Sequence, residues 1–195
     1  MLLIKNAHVI DAKTHTDAVL DILIERDRII RMESCISLDS CKESEPTMID
    51  ALGNYVLPGL VDVHVHFRDP GFTYKEDIET GAKAAAKGGI TSVVLMANTK
   101  PVVDNVETLK YVLSKGADTR IHVHTCAAIT KDLKGGELTD MPLLLKEGAV
   151  GFTDDGIPIL DENLLKHFRY TTQTTSLVFI KPDSLHKFPP LPLPF

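Results

Sequence analysis

Long apolar runs are missing from this sequence, and so is any excess of positive charge. No stretch approaches the roughly 18 apolar residues that a membrane span needs. The opening MLLIKNAHVIDAK has too short an apolar run for the core of a signal peptide. No membrane partner is therefore expected, and the expected location is cytoplasmic. Basic residues number 21 against 27 acidic ones, a net charge of -6, so no basic face is offered to nucleic acid. Cysteine is scarce. Cys35, Cys41 and Cys126 form an odd set without a repeated spacing, which is no disulfide framework. Cys35 and Cys41 also lack a CxxC spacing or a nearby histidine, which argues against a structural zinc site. There is no GxGxxG after the first strand of the βα region, which argues against dinucleotide binding. What remains is 195 residues, 44% hydrophobic and 25% charged, the make-up of a soluble globular chain. That length suits one medium domain, or a small one with part of a larger one.

Along the chain the pattern changes once. Leu2–Ile10, Val19–Ile24 and Arg28–Met32 are short β-type runs, followed by a polar loop over Glu33–Pro46. Met48–Ala51 and Tyr55–Leu57 return to β character around the turn pair Gly53-Asn54. Residues 1–56 therefore predict a small β-rich subdomain. From Leu60 strand and helix alternate. Strands are expected at Leu60–His66, Ile90–Met96, Arg120–Cys126 and Ala149–Thr153. Helices are expected over Thr73–Lys87, from a cap at Asp104 or Asn105 to Lys115, and over Leu138–Glu147. Gly88-Gly89, Gly116 and Gly148 are read as their stops. Regular βα alternation with short loops implies a parallel sheet. By itself it does not separate an open sheet from a (β/α)8 barrel.

The chemistry gathers in Leu57–Gly71, LPGLVDVHVHFRDPG. His64 and His66 are one residue apart on a strand, so both imidazoles point to one face and can converge on a metal ion. Pro58-Gly59 breaks the chain before the strand and Arg68-Asp69-Pro70-Gly71 turns it after, placing the pair at a strand end, where barrel enzymes keep their active sites. A second HVH, His122 and His124, lacks both flanks and is an internal control. Further polar groups stand at later strand ends: Asn98 after the second strand, and Asp154 and Asp155 in GFTDDG after the fourth. The segment Thr125–Thr130 after the third is less informative.

PGLVDVHVHFRDPG, ETGAKAAAKGGIT, MANTKP and GFTDDG occur in this order over about 100 residues. Together they resemble the bacterial-type dihydroorotase family of the amidohydrolase superfamily, from Met1 to about Lys166. The resemblance implies the N-terminal half of a (β/α)8 TIM-type metal-dependent barrel, with about four βα units over residues 57–166. It also implies one or two Zn2+ ions, held here by His64, His66 and Asp155. Many relatives have a carboxylated lysine where Asp155 stands. Zinc can bring the pKa of a bound water to about 7. Substrate contacts are implied for His66, Arg68 and Asn98, with the Arg68 fork suited to a carboxylate. The implied reaction is the reversible conversion of N-carbamoyl-aspartate to dihydroorotate in de novo pyrimidine biosynthesis. For the intact protein, a homodimer or association with aspartate transcarbamoylase is implied. A hydantoinase-like or allantoinase-like enzyme and a catalytically dead scaffold stay open as alternatives.

Residues 167–195 depart from the resemblance. Five of the eleven prolines fall at Pro182 or later, and KFPPLPLPF suits neither helix nor central strand. We read this part as a tail outside the family. Two further histidine ligands and a proton-shuttling aspartate are expected beyond it, so no catalytic residue is assigned within the chain. On this reading a frameshift, a mis-spliced exon or early termination would each produce the tail. The chain alone is expected to be inactive and poorly folded, with its fourth barrel strand an open edge.

Overall fold

The structure, a computed structural model, describes residues 1–37, 46–164 and the backbone of 177–179. The chain divides into two compact units, Met1–Pro58 and Gly59–Phe195.

The first unit is a mixed β-sheet. Its strands are β1 (Leu2–Asp11), β2 (Thr16–Glu25), β3 (Arg28–Glu33), β4 (Thr47–Asp50) and β5 (Tyr55–Val56). The order is β3-β2-β1-β4, with β5 also on β1. β1 and β2 form a hairpin because Asp11 closes the turn, accepting from the Lys13 amide at 2.9 Å and the Thr14 hydroxyl at 2.8 Å. Alternation along the strands divides the apolar side chains between two faces. Ala7, Val9, Ile22 and Ala51 form one cluster, and Leu3, Leu23 and Ile36 another. Cys35 is exposed; Cys41 lies outside the described residues.

The second unit is a half-barrel: a parallel sheet with helices against one face. Its elements are β6 (Leu60–Val65), α1 (Ile78–Lys87), β7 (Ile90–Leu95), α2 (Val106–Ala117), β8 (His122–Ala127), α3 (Met141–Lys146), β9 (Gly151–Thr153) and β10 (Leu177–Phe179). The strand order is β10-β9-β8-β7-β6, and each neighbouring pair is parallel. Val93, Leu95 and Val123 join helix residues Ile78, Ala82, Leu109, Val112 and Leu144 in the main core. Val94, Met96 and Cys126 point to the opposite face and form their own cluster with Val150. The side of the sheet away from the helices is where the histidines sit.

Four expectations change. α1 begins at Ile78, not Thr73. Asp77 is its cap, accepting from the Thr80 amide at 2.8 Å in a capping box. The residues before it turn instead, with Phe72 N–H donating to the Arg68 carbonyl at 2.9 Å and Lys75 N–H to the Phe72 carbonyl at 2.8 Å. α3 is likewise shorter than Leu138–Glu147, because Asp140 caps it and Leu138 is bridged to Thr130. Gly116 does not end α2. It lies inside the helix, where a Cβ would come within 2.7 Å of Val123 Cβ, so it is there for close helix–strand approach. Finally β10 lies within residues 167–195, where no strand was expected. It pairs with β9, Leu177 opposite Gly151 and Phe179 opposite Thr153, so β9 is not an open edge. The proline-rich end, His167 and His186 lie outside the described residues. Among the described residues, no helix is long and apolar enough to cross a membrane.

Candidate metal centre

The site is built at the carboxyl ends of β6, β7 and β9. Val65, between the two histidines, packs against the helix-side core. Alternation therefore turns His64 and His66 to the other face. Their rings meet edge to face with centroids 5.3 Å apart. From β9, Asp155 places Oδ1 3.3 Å from His64 Nε2 and Oδ2 3.3 Å from His66 Nε2. These are longer than ordinary N–H···O hydrogen bonds. They match instead the edge of about 3.4 Å that ~2.1 Å bonds define around a tetrahedral ion. One donor atom from each of His64, His66 and Asp155 lies within 4.8 Å of the others, the one such group among the described residues. Two imidazoles and a carboxylate make a donor set that suits a divalent metal.

Asn98, just past β7, orders this group. Its Nδ2 donates to Asp155 Oδ2 at 2.8 Å. That leaves Oδ1 as the acceptor facing His66 Nδ1 at 2.9 Å, so Nδ1 carries the proton. The His66 Nε2 lone pair then faces Asp155. A carboxamide beyond the imidazole fixes the tautomer, as outer partners of metal-binding histidines do. Both ends of the Asn98 amide are thus held by protein groups.

Asp154 and Asp155 separate cleanly. Asp154 is buried and accepts from the amides of Ile129 at 2.8 Å and Thr130 at 3.0 Å, and from the Thr130 hydroxyl. Burial raises its carboxyl pKa above the usual range, against the pull of those donors. The end of the third barrel strand, uninformative in the sequence, is thus what anchors the Asp-Asp turn. Asp155 is left to face the histidines.

Arg68 has a left-handed backbone at φ 58°. Asp69 is the acid next to it in the sequence, but its carboxylate is engaged elsewhere. Asp69 accepts from Tyr111 Oη at 2.9 Å and from Lys115 Nζ at 2.8 Å. Among the described residues, Arg68 has no acidic partner. This tether between the turn and α2 was not foreseen. Nothing in the sequence links residues more than 40 positions apart.

The second HVH faces the same side of the sheet but sits lower. His122 lies opposite Ser92 and His124 opposite Val94, whereas Val65 lies opposite Leu95. Their rings are stacked 6.5 Å apart, and among the described residues they belong to no metal-ligand group. Burial pushes the Cys126 thiol up to about 12, which marks it as an inert core residue.

Residues 53–178 match the Dihydro-orotase-like family. The chain belongs to the dihydroorotase-like family. This dihydroorotase-like chain is 54% identical over 165 residues to a dihydroorotase of Clostridioides difficile, an alignment covering 85% of the chain and 38% of that protein. A dihydroorotase of Streptococcus pneumoniae is 52% identical over 166 residues, with the same coverages. The chain thus spans 38% of the length of these relatives. Among solved structures, an L-hydantoinase from Arthrobacter aurescens superposes with a TM-score of 0.68 at 21% identity, over 86% of this chain and 37% of that one. That likeness is one of fold. A D-hydantoinase from Thermus sp. reaches 32% identity with a TM-score of 0.52, over 67% of this chain and 28% of that one.

Proposed function

We propose that the protein is a zinc-dependent cyclic amidohydrolase that interconverts N-carbamoyl-aspartate and dihydroorotate. The observation that carries this is the convergence of His64, His66 and Asp155 on one point, with Arg68, which has no acidic partner among the described residues, two residues past His66. The donor set and its 3.3 Å spacings fit a zinc ion. An ion held there would lower the pKa of a bound water to about 7 and polarise an amide carbonyl. His64 and His66 would hold it through neutral ring nitrogens, and Asp155 would supply the negative charge. Asn98 holds His66 in the required tautomer and Asp155 in place. Asn98 Nδ2 gives one N–H to Asp155 Oδ2 and has a second to offer a substrate carboxylate. Arg68 offers a fork of donors to that carboxylate. His66 borders both the metal position and the substrate.

Arg68 also separates this reading from a hydantoinase-type one, since hydantoin carries no carboxylate. The reading puts the protein in the cytoplasm. It includes self-association as a homodimer or association with aspartate transcarbamoylase, which sedimentation of the protein alone and mixed would reveal. The domain boundaries proposed with it are 1–56, 57–166 and 167–195.

The test compares dihydroorotate, hydantoin and allantoin as substrates for the zinc-loaded protein carried to the length of its relatives. Dihydroorotate should be turned over at least tenfold faster than the other two. A preference for hydantoin would overturn the assignment, and zinc binding without any turnover would favour a scaffold. The 195 residues alone should bind zinc without turning over dihydroorotate.

A further inference from the structure

Asp69 is 1% exposed, yet it carries a carboxylate. A buried carboxylate must be paired, or it draws in the nearest cation. The cation next to it in the sequence is Arg68. Both residues line a recess too tight for water, together with Phe67 and Thr99. In the structure that pairing is forestalled from another element. Tyr111 and Lys115, one helical turn apart on α2, fill both carboxylate oxygens at 2.9 Å and 2.8 Å. The Lys115 ammonium also lies over the Tyr111 ring, 5.1 Å from its centroid. Hydrogen bonds to Asp69 and then Tyr111 raise the Lys115 pKa, so this side chain is a fixed cation.

The turn is held as firmly on its other side. Lys100 N–H donates to the Pro70 carbonyl at 3.0 Å. A Cβ on Gly71 would fall 2.0 Å from the Lys100 carbonyl oxygen, so the Arg68 turn and the loop after Asn98 meet backbone to backbone. Arg68 keeps its left-handed conformation within that frame, a conformation disfavoured for residues with a Cβ.

We propose that Asp69, Tyr111 and Lys115 form a positioning unit: Tyr111 and Lys115 occupy Asp69 so that the adjacent Arg68 guanidinium stays free for a substrate carboxylate. The inference rests on the functional reading above for the identity of that carboxylate. The three residues act through Arg68 and touch no substrate themselves. The unit makes a counter-intuitive prediction. Removing the two donors on α2 should disable Arg68, by letting Asp69 capture it. Neutralising Asp69 in the same protein should then restore it.

The test is a mutant cycle on the chain, read by phenylglyoxal, which modifies unpaired guanidinium groups, with Arg68 followed by mass spectrometry. In the unsubstituted chain Arg68 should react readily. In Tyr111→Phe with Lys115→Met its rate should fall at least threefold. Adding Asp69→Asn should return it to the starting rate. A tether that merely held the loop would not show that recovery, because the triple variant has fewer contacts still. An unchanged rate in the double variant, or no recovery in the triple, would overturn the proposal. If the double variant loses its cooperative melt, Lys115→Met with and without Asp69→Asn gives the same comparison. A separate arm adds dihydroorotate to the zinc-loaded chain. Protection of Arg68 supports the carboxylate contact. Its absence would overturn the substrate reading, while the rate cycle still decides whether Asp69 is kept away from Arg68.

Discussion

At the scale of single residues, the two HVH pairs are a built-in comparison. They share spacing, strand conformation and sheet face, and differ in what stands opposite. His64 and His66 face a carboxylate 3.3 Å away; His122 and His124 belong to no such group among the described residues. Replacing His64 and His66 with Ala should therefore abolish zinc retention, and replacing His122 and His124 should leave it in place. Elemental analysis after dialysis reads the difference, and equal loss from both double variants would sink the assignment. Arg68→Lys is the second test at this scale. A lysine keeps the charge but not the planar fork. A charge-assisted hydrogen bond in a closed site is worth about 1.5–3 kcal/mol, so in the protein carried to the length of its relatives kcat/KM for dihydroorotate should fall roughly tenfold to hundredfold. Zinc content should not change. Steady-state constants equal to those of the unsubstituted protein would remove Arg68 from the site.

At the scale of elements, the first unit hangs on Asp21, a carboxylate on β2 that is 2% exposed. It ties three segments together. Oδ1 accepts from the Asn6 amide at 3.0 Å, where β1 bulges, and Oδ2 from the Ile36 amide at 2.9 Å, with Lys5 Nζ 3.5 Å away. Burial works to raise its pKa, but the Ile36 and Asn6 amides and Lys5 outweigh it and the net shift is downward. A carboxylate with a lowered folded-state pKa contributes stability above its unfolded value of about 3.9, and that contribution is lost as pH falls through the folded value. Hydrogen-exchange protection factors of β1 and β2 amides should thus drop between pH 6 and pH 3. Asp21→Asn should be less protected at pH 6 and show little further loss at pH 3. Equal protection of the unsubstituted chain at both pH values would refute this. Nothing local in the sequence singles out Asp21, because its partners are 15 or more positions away. The strands themselves were legible, since alternation and turn residues are local signals. Helix starts were less so. A run from Thr73 has helical composition, but Asp77 captures the Thr80 amide and sets the start there. Gly116 reads locally as a stop, whereas contact with Val123 in a different element decides its role. The metal-ligand candidates were legible because strand ends and motif order are sequence properties. Asn98's bridge and Asp154's burial were not, because they depend on which strand ends become neighbours.

At the scale of the whole molecule, the described residues leave apolar side chains in water at strand edges. β6 borders its sheet and shows Leu60, Val61 and Val63 at 55%, 61% and 45% exposure. In the other unit a row of paired residues, Ile49, Ile4, Ile22 and Met32, crosses four strands. Its outer members Ile49 and Met32 are 49% and 39% exposed. Natural edge strands are usually blunted by charge, proline or a bulge. β6 has one charge, Asp62, and its Oδ1 is turned back onto the His64 amide at 3.1 Å. The net charge of -6 supplies some mutual repulsion, which added salt screens. The 195-residue chain should therefore self-associate, and more so in sulfate, which strengthens apolar burial as well as screening charge. Sedimentation velocity should show an average mass that rises with protein concentration. Val61→Lys with Val63→Lys should lower that average by placing charge on the edge. These substitutions leave His64, His66 and Asp155 untouched, so zinc binding should persist and serve as the check that the fold is intact. A concentration-independent monomer in sulfate, or association unchanged by the two lysines while zinc is retained, would show that the β6 edge is not the contact.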